Sequence, residues 1–214
     1  MSIRHVFFDF GGVIAEEGFL NGLKAVAAQE GRDPEAFFWD VREIIIATGY
    51  ITGHAGEAEF WRRVEKDLHP AVSADDLRRE ILSRFRVRPL MIDLVRRLRA
   101  QKVKVAMLSD QTNWLDELDA RDGFFREFDK VFNSYRYGHH KGQREFFDIA
   151  LAQMGADPAT SLFVDDAEGN IAVARDVGLK AIHFTGLQAF ARDFAAYFPG
   201  LLPLAPDGSG REER

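Results

Sequence analysis

The sequence predicts an α/β fold built on a parallel sheet, with a helical unit inserted after the first strand. Three observations carry this reading. Short, very apolar segments recur and each stops at polar or glycine residues; amphipathic stretches alternate with them; residues 16–86 break the alternation with helix-like runs alone. Strands buried on both faces read as continuous apolar runs, and strands alternating with helices form parallel sheets.

The first strand is residues 4–10, rich in aromatic side chains and ended by Gly11-Gly12. Residues 103–108 stop at Ser109-Asp110, residues 161–164 at Asp165-Asp166, and residues 180–184 at Thr185-Gly186. Between them lie Pro89–Ala100, with proline in its first turn, a run over 143–154 that stops at Gly155, and Glu168–Val177, which stops at Gly178. Inside the insertion, residues 20–29, 35–47, 57–68 and 73–85 read as helices, and residues 190–198 as a last amphipathic one. The organisation that follows is an α/β core of residues 1–15 and 87–200, a helical cap of residues 16–86 and a tail of residues 201–214. From Pro203 onward that tail has no core-forming pattern and is expected to be mobile.

A chain of 214 residues, 46% hydrophobic, can bury one sizeable core and a smaller satellite. Its 28 basic and 34 acidic residues give a net charge of -6, which argues against nucleic acid or anionic lipid as a partner. The absence of cysteine excludes disulfides, thiolate catalysis and cysteine-bound metals. The apolar run Val6-Phe7-Phe8 is broken by Asp9, too early for a signal sequence or membrane span, so a soluble, cytoplasmic protein is expected.

Open parallel sheets bind ligands beyond the carboxyl ends of their strands, so Asp9, Ser109 and Asp165-Asp166 can share one crevice. Beside Asp9, the glycines let a phosphate approach backbone amides, and the carboxylate can attack phosphorus. For this segment alone, an aspartate that caps a turn explains the residues equally well. Asp165-Asp166 ends a very apolar strand, where two carboxylates repel unless a cation is present. With Asp9 they make a hard oxygen site suited to magnesium. A helix N-cap and acidic first turn account for one of the pair better than for both. Ser109 can donate to a phosphate oxygen, and Lys141, in His139-His140-Lys141-Gly142, can neutralise its charge. Singly, these also read as a turn serine and a solvated lysine.

In chain order, Asp9-Phe10-Gly11-Gly12-Val13, Leu108-Ser109-Asp110, Lys141 and Val164-Asp165-Asp166 resemble the four motifs of the haloacid dehalogenase superfamily, whose core is Rossmann-like. The insertion, with Tyr50-Ile51-Thr52-Gly53 and Glu59-Phe60-Trp61, resembles the helical cap of the phosphoglycolate and sugar-phosphate phosphatase branch. The resemblance implies a magnesium-dependent phosphatase of a small phosphorylated metabolite. Asp9 would form an aspartyl-phosphate, and magnesium would be held by Asp9, the Gly11 carbonyl and Asp165, with Asp166 acting nearby or through water. Ser109 and Lys141 would bind the transferring phosphoryl group, with Gly11, Gly12 and Asp110 on the substrate side.

The pattern departs from the family at Gly11, where most of its phosphatases carry the aspartate that protonates the leaving group and then activates water. Such a group contributes roughly 10²–10⁴-fold. Its absence fits three situations: a good leaving group such as that of a sugar 1-phosphate or acyl phosphate; a substitute, for which Glu16, Glu17 and His54 are candidates; or a phosphate-binding regulator that has lost turnover. Members resembling glucose-1-phosphate phosphatase have a similar first motif. The competing enzyme reading is a 2-haloacid dehalogenase, which also lacks that aspartate but typically carries serine and asparagine in place of Asp165-Asp166. Transfer of the phosphoryl group to a second sugar would need the missing aspartate as base.

Adjacent His139 and His140 do not easily chelate one ion. Phe37-Phe38-Trp39 and Phe60-Trp61 read first as core or cap-to-core contacts and second as pocket lining, while Trp114, close to Ser109, borders the site. Residues 15–18 and 87–89 are the expected hinges of cap closure.

Overall fold

Beyond His5, the first strand has no polar side chain because it lies in the middle of the sheet. In the computed structural model, which describes residues 2–202, five parallel strands run β1 (His5–Phe8), β2 (Lys104–Ser109), β3 (Lys130–Asn133), β4 (Ser161–Asp165) and β5 (Lys180–His183), in the order β3-β2-β1-β4-β5. The mobile tail expected over residues 203–214 lies outside the described residues. Four strands match sequence segments; β3 does not, because an edge strand with only Val131 and Phe132 apolar leaves no readable run.

Register brings the polar strand ends together. Phe8 is level with Met107 on β2 and Val164 on β4. Asp9 therefore emerges level with Asp165 and one residue short of Ser109, and its amide donates to the Val164 carbonyl at 2.9 Å.

The continuous apolar runs still alternate by face. Phe7, Ala106, Leu108 and Phe163 pack with Phe146, Phe147 and Ile171 of α8 (Arg144–Met154) and α9 (Glu168–Val177). Val6, Phe8, Met107 and Val164 join the opposite core with Leu94 and Val95 of α5 (Pro89–Ala100) and Phe190 and Phe194 of α10 (Leu187–Ala195).

Between β1 and α5 the chain forms α1 (Gly18–Gln29), α2 (Pro34–Ala47), α3 (Glu57–Leu68) and α4 (Ala74–Arg84), as the helix-like runs of the insertion predict. Asp33 caps α2 ahead of Pro34, and Ser73 caps α4. Helix α1 starts two residues earlier than expected, capped by Glu17, whose Oε2 accepts from the Leu20 amide at 2.5 Å. Glutamate is a poor N-cap signal, so the sequence hides this start. Gly22 lets α1 and α4 cross closely: a Cβ there would lie 2.6 Å from the Ilе81 Cα.

The two passages between insertion and core lie side by side. The Glu16 amide donates to the Arg86 carbonyl and the Arg88 amide to the Ile14 carbonyl, each at 2.8 Å. The Arg88 guanidinium also donates to the carbonyls of Gly12 and Val13. A second tie comes from the turn Tyr50–Thr52: the Tyr50 hydroxyl donates to Asn113 Oδ1 at 2.5 Å, and Ser134 Oγ donates to the Ile51 carbonyl at 2.7 Å. None of the described helices is long and apolar enough to cross a membrane.

Helix α10 ends at Ala195, short of residue 198, but Phe198 still stacks on Phe194 with ring centroids 4.9 Å apart. Leu201 and Leu202, assigned to the tail by composition, are buried in the same core. Leu201→Ala is therefore expected to cost about 2 kcal/mol of stability, the low end for a buried leucine, because the site lies at the core's margin. Urea denaturation measures this, and an unchanged midpoint would place Leu201 outside the core.

Candidate active site

Asp9, Gly11, Gly12, Ser109, Asp110, Lys141 and Asp165-Asp166 meet at the carboxyl edge of the sheet. Asp9 is buried just past β1, and its Oδ1 accepts from its neighbour's amide, Phe10 N, at 2.6 Å and from Ser109 Oγ at 2.5 Å. Oδ2 faces the Lys141 ammonium at 2.7 Å. The same ammonium donates to Asp165 Oδ2 at 2.6 Å.

Lys141 is 2% exposed, so the sequence alternative of a solvated lysine fails. Its position is set by its own backbone amide, which donates to Asp110 Oδ1 at 2.9 Å. Burial opposes the ammonium's charge, but the carboxylates of Asp165, Asp9 and Asp110 outweigh it and hold the group well above the usual lysine range. Asp165 is further fixed by the Ala167 amide at 2.7 Å and the Asn170 side-chain amide at 3.1 Å, both on Oδ1.

The carboxylates outnumber their counter-charge. Burial pushes Asp9 well above the usual aspartate range; Lys141 opposes this, and Asp165 and Asp166 reinforce it. Burial raises Asp166 as well, with the Asp165 charge adding to it, and burial likewise raises Asp110. Asp9, Asp165 and Asp166 each place a carboxylate oxygen within 4.8 Å of the others, a spacing that can hold a metal ion. An all-oxygen set with surplus negative charge fits a hard divalent cation.

Gly12 shows how tightly this corner is built. At φ +78° it turns beneath Asp166, and a Cβ there would lie 1.9 Å from Asp166 Oδ2. Asp166 is held in turn by its carbonyl, 2.9 Å from His183 Nε2.

Above the carboxylates lies a cavity of about 290 Å³. Asp9, Gly11, Asp110, Lys141 and Asp166 line it, whereas Gly12, Ser109 and Asp165 lie beneath its floor. The Ser109 hydroxyl is thus committed to Asp9 instead of opening onto the cavity.

Of the three candidates to replace the family's second aspartate, the structure brings only Glu17 to the site. Glu16 pairs with Arg88 at 3.0 Å outside the cavity, and exposed His54 meets Thr52 Oγ1 at 2.8 Å. Glu17 lines the cavity, and a Cβ built on Gly11 would come within 3.4 Å of Glu17 Oε1. Burial pushes its carboxyl up to about 7; the hydrogen bond from Leu20 pulls the other way, and the Asp166 charge adds to the rise.

Trp114 borders the cavity as expected, and His140 does too, on the cavity rim and not as half of a histidine pair. The aromatic candidates divide: Phe38 lines the cavity, Phe37, Phe60 and Trp61 are core, and Trp39 is exposed. Ile51, from the motif Tyr50-Ile51-Thr52-Gly53, lines the cavity, and Gln111, Thr112, Asn170, Phe19, Arg42, Ile45 and Ile46 do so without having been singled out. Only Asn170 left a readable trace, one helical turn beyond the Asp165-Asp166 strand end. Phe38, Arg42, Ile45 and Ile46 share one face of α2, a spacing shared with any core helix.

A parallel sheet with a strand-end aspartate, a buried lysine and an acidic pair under a helical insertion defines a Rossmann-like hydrolase with an aspartate-based site. The chain belongs to the haloacid dehalogenase-like hydrolases, whose family model matches residues 3–178. It is similar to D-ribitol-5-phosphate phosphatase of Bacteroides thetaiotaomicron, 24% identical over 186 residues, which cover 83% of this chain and 90% of that protein. A family enzyme from Bacteroides thetaiotaomicron, solved in complex with magnesium and inorganic phosphate, shares the fold with a TM-score of 0.65 and 22% identity, over 85% of this chain and 93% of its own. L-2-haloacid dehalogenase from Xanthobacter autotrophicus, with chloropropionic acid covalently bound, shares it with a TM-score of 0.63 and 17% identity, over 94% of this chain and 85% of its own.

Removing the ammonium would leave Asp9 and Asp165 facing each other without counter-charge. Lys141→Met is expected to cost about 3–5 kcal/mol in metal-free buffer, since breaking a buried ion pair strands its partners. Adding Asp165→Asn to that variant should recover part of the loss. Urea denaturation of both variants checks this, and a loss below 1 kcal/mol in the single variant would refute the electrostatic account.

Proposed function

We propose that this chain is a magnesium-dependent phosphomonoesterase that acts on a small phosphorylated metabolite through an aspartyl-phosphate on Asp9, with Glu17 as its general acid and base. The observation that carries the reading is the clamp of Asp9 between Ser109 and Lys141 at the floor of a cavity, beside the acidic pair.

The Lys141 ammonium opposes the burial that favours a protonated Asp9, and the Ser109 and Phe10 donors fix its orientation toward the cavity. An Asp9 oxygen attacks phosphorus as the bond to the leaving-group oxygen breaks, and that oxygen takes a proton from Glu17. The Glu17 carboxylate then removes a proton from water, whose oxygen attacks phosphorus and releases Asp9 and inorganic phosphate. Asp9, the Gly11 carbonyl and Asp165 would hold magnesium, with Asp166 nearby or through water, and the bound ion would supply neutralisation of charge on the phosphoryl group. A carboxyl near 7 populates both of the protonation states that the two steps require. Residues 16–86 serve as the cap over the core of residues 1–15 and 87–200, with the paired passages at 14–16 and 86–88 as its hinge.

A sugar 1-phosphate is the substrate that an enzyme without a general acid would favour. With Glu17 standing beside Gly11, an unactivated alcohol can also depart, so the missing aspartate no longer selects for an activated leaving group. Dehalogenation is disfavoured because Asp166 lines the cavity as a carboxylate, and a departing halide would meet its charge.

Phosphate release is measured with magnesium and with a chelator. Wild-type turnover is expected to require magnesium, and Asp9→Asn to fall to background while keeping the wild-type circular dichroism spectrum; undiminished release by that variant would remove the mechanism. In kcat/KM, which reports the steps up to the aspartyl-phosphate, Glu17→Gln should lose roughly 10²–10⁴-fold on alkyl phosphates and far less on acetyl phosphate, whose leaving group departs without a proton. Equal loss of kcat/KM on both would show that Glu17 does not protonate the leaving group.

A further inference from the structure

The cavity has two chemically different halves. Its floor is charged and polar, with Asp9, Asp110, Lys141 and Asp166 there and Gln111 and Thr112 alongside. The wall contributed by the insertion is different: apart from Glu17 and Arg42, its cavity-lining residues are Phe19, Phe38, Ile45, Ile46 and Ile51. Trp114 closes the ring from the core side. The Arg42 guanidinium lies 5.3 Å over the Trp39 ring, at the edge of this wall.

Resting on the phosphomonoesterase reading, we infer that the ester this site prefers carries an apolar alcohol, a short alkyl, prenyl or aryl group, and not a sugar or polyol. The phosphoryl group is anchored on the floor, so its leaving group projects toward the insertion's apolar wall. A sugar placed there would exchange hydrated hydroxyls for isoleucine and phenylalanine, and each buried hydroxyl without a partner is penalised. An apolar group would instead cover surface that the folded chain leaves open: Ile46 is 43% exposed, although it lines the cavity. Phe38, Ile45 and Ile46 lie on one face of α2, and Arg42 between them turns its guanidinium over the Trp39 ring. A cavity of about 290 Å³ lies at the small end for ligand sites, which limits the group to a short chain or single ring.

The test compares kcat/KM for hexyl, prenyl and benzyl phosphate with that for glucose 6-phosphate, glucose 1-phosphate, glycerol phosphate and phosphoglycolate, all with magnesium, and includes acetyl phosphate as a substrate with almost no leaving group. The apolar esters are expected to lead by about tenfold or more, the scale of discrimination an apolar pocket achieves. In Ile46→Ser, at an exposed position where folding is not at stake, the ratio of hexyl phosphate to glucose 6-phosphate kcat/KM should fall about fivefold, chiefly through KM. Phe38→Ser should lower the ratio further. Equal or greater efficiency on the sugar, polyol or carboxylate esters would overturn the inference while leaving the phosphomonoesterase intact, as would an unchanged ratio in both variants. No magnesium-dependent release from any ester or from acetyl phosphate would overturn the underlying reading and this inference with it.

Discussion

The whole site depends on one buried cation. Lys141 stands between Asp9 and Asp165, which arrive on neighbouring strands, and its own backbone is held by Asp110 from the end of a third. Without an ammonium there, acidic groups at the end of an apolar sheet would have to take up protons, and a protonated aspartate is no nucleophile. The lysine therefore does structural and chemical work with the same three donors. It still leaves Asp166 and part of the Asp9 charge uncompensated, which is the electrostatic opening for a divalent cation.

Sheet geometry makes this arrangement possible at little conformational cost. Parallel pairing puts Asp9 and Asp165 at one level and Ser109 one residue further along its strand. The glycine after the nucleophile loop turns where a side chain would collide with Asp166. The charged groups are thus placed by rigid strand ends and one tight turn, and the insertion is left free to shape the opposite wall.

Gly11 and Glu17 form a complementary pair. Removing a side chain from position 11 opens the volume into which Glu17 reaches from the start of α1, and the cap it makes on that helix fixes its orientation. In the proposed reaction the acid has moved from the core to the insertion. Proton transfer would then be tied to the element that also contacts the leaving group.

By itself the sequence determined the parallel α/β architecture and the helical insertion, because each signal is local: an apolar run, a glycine turn, a polar strand end, a proline-led helix. Asp9 and Asp165-Asp166 were legible for that reason, whereas Ser109 and Lys141 were legible only through a motif order that resembles the family's. The edge strand β3 was not, since two apolar residues fall below any periodic signal. Nor were the buried leucines at 201 and 202, whose composition resembles that of the tail following them. Only the tertiary structure could choose Glu17 over Glu16 and His54, bury Lys141, and divide Phe38 from Phe37. Those outcomes depend on which groups from distant parts of the chain are brought within a few ångströms of each other, and spacing along the chain carries no information about that.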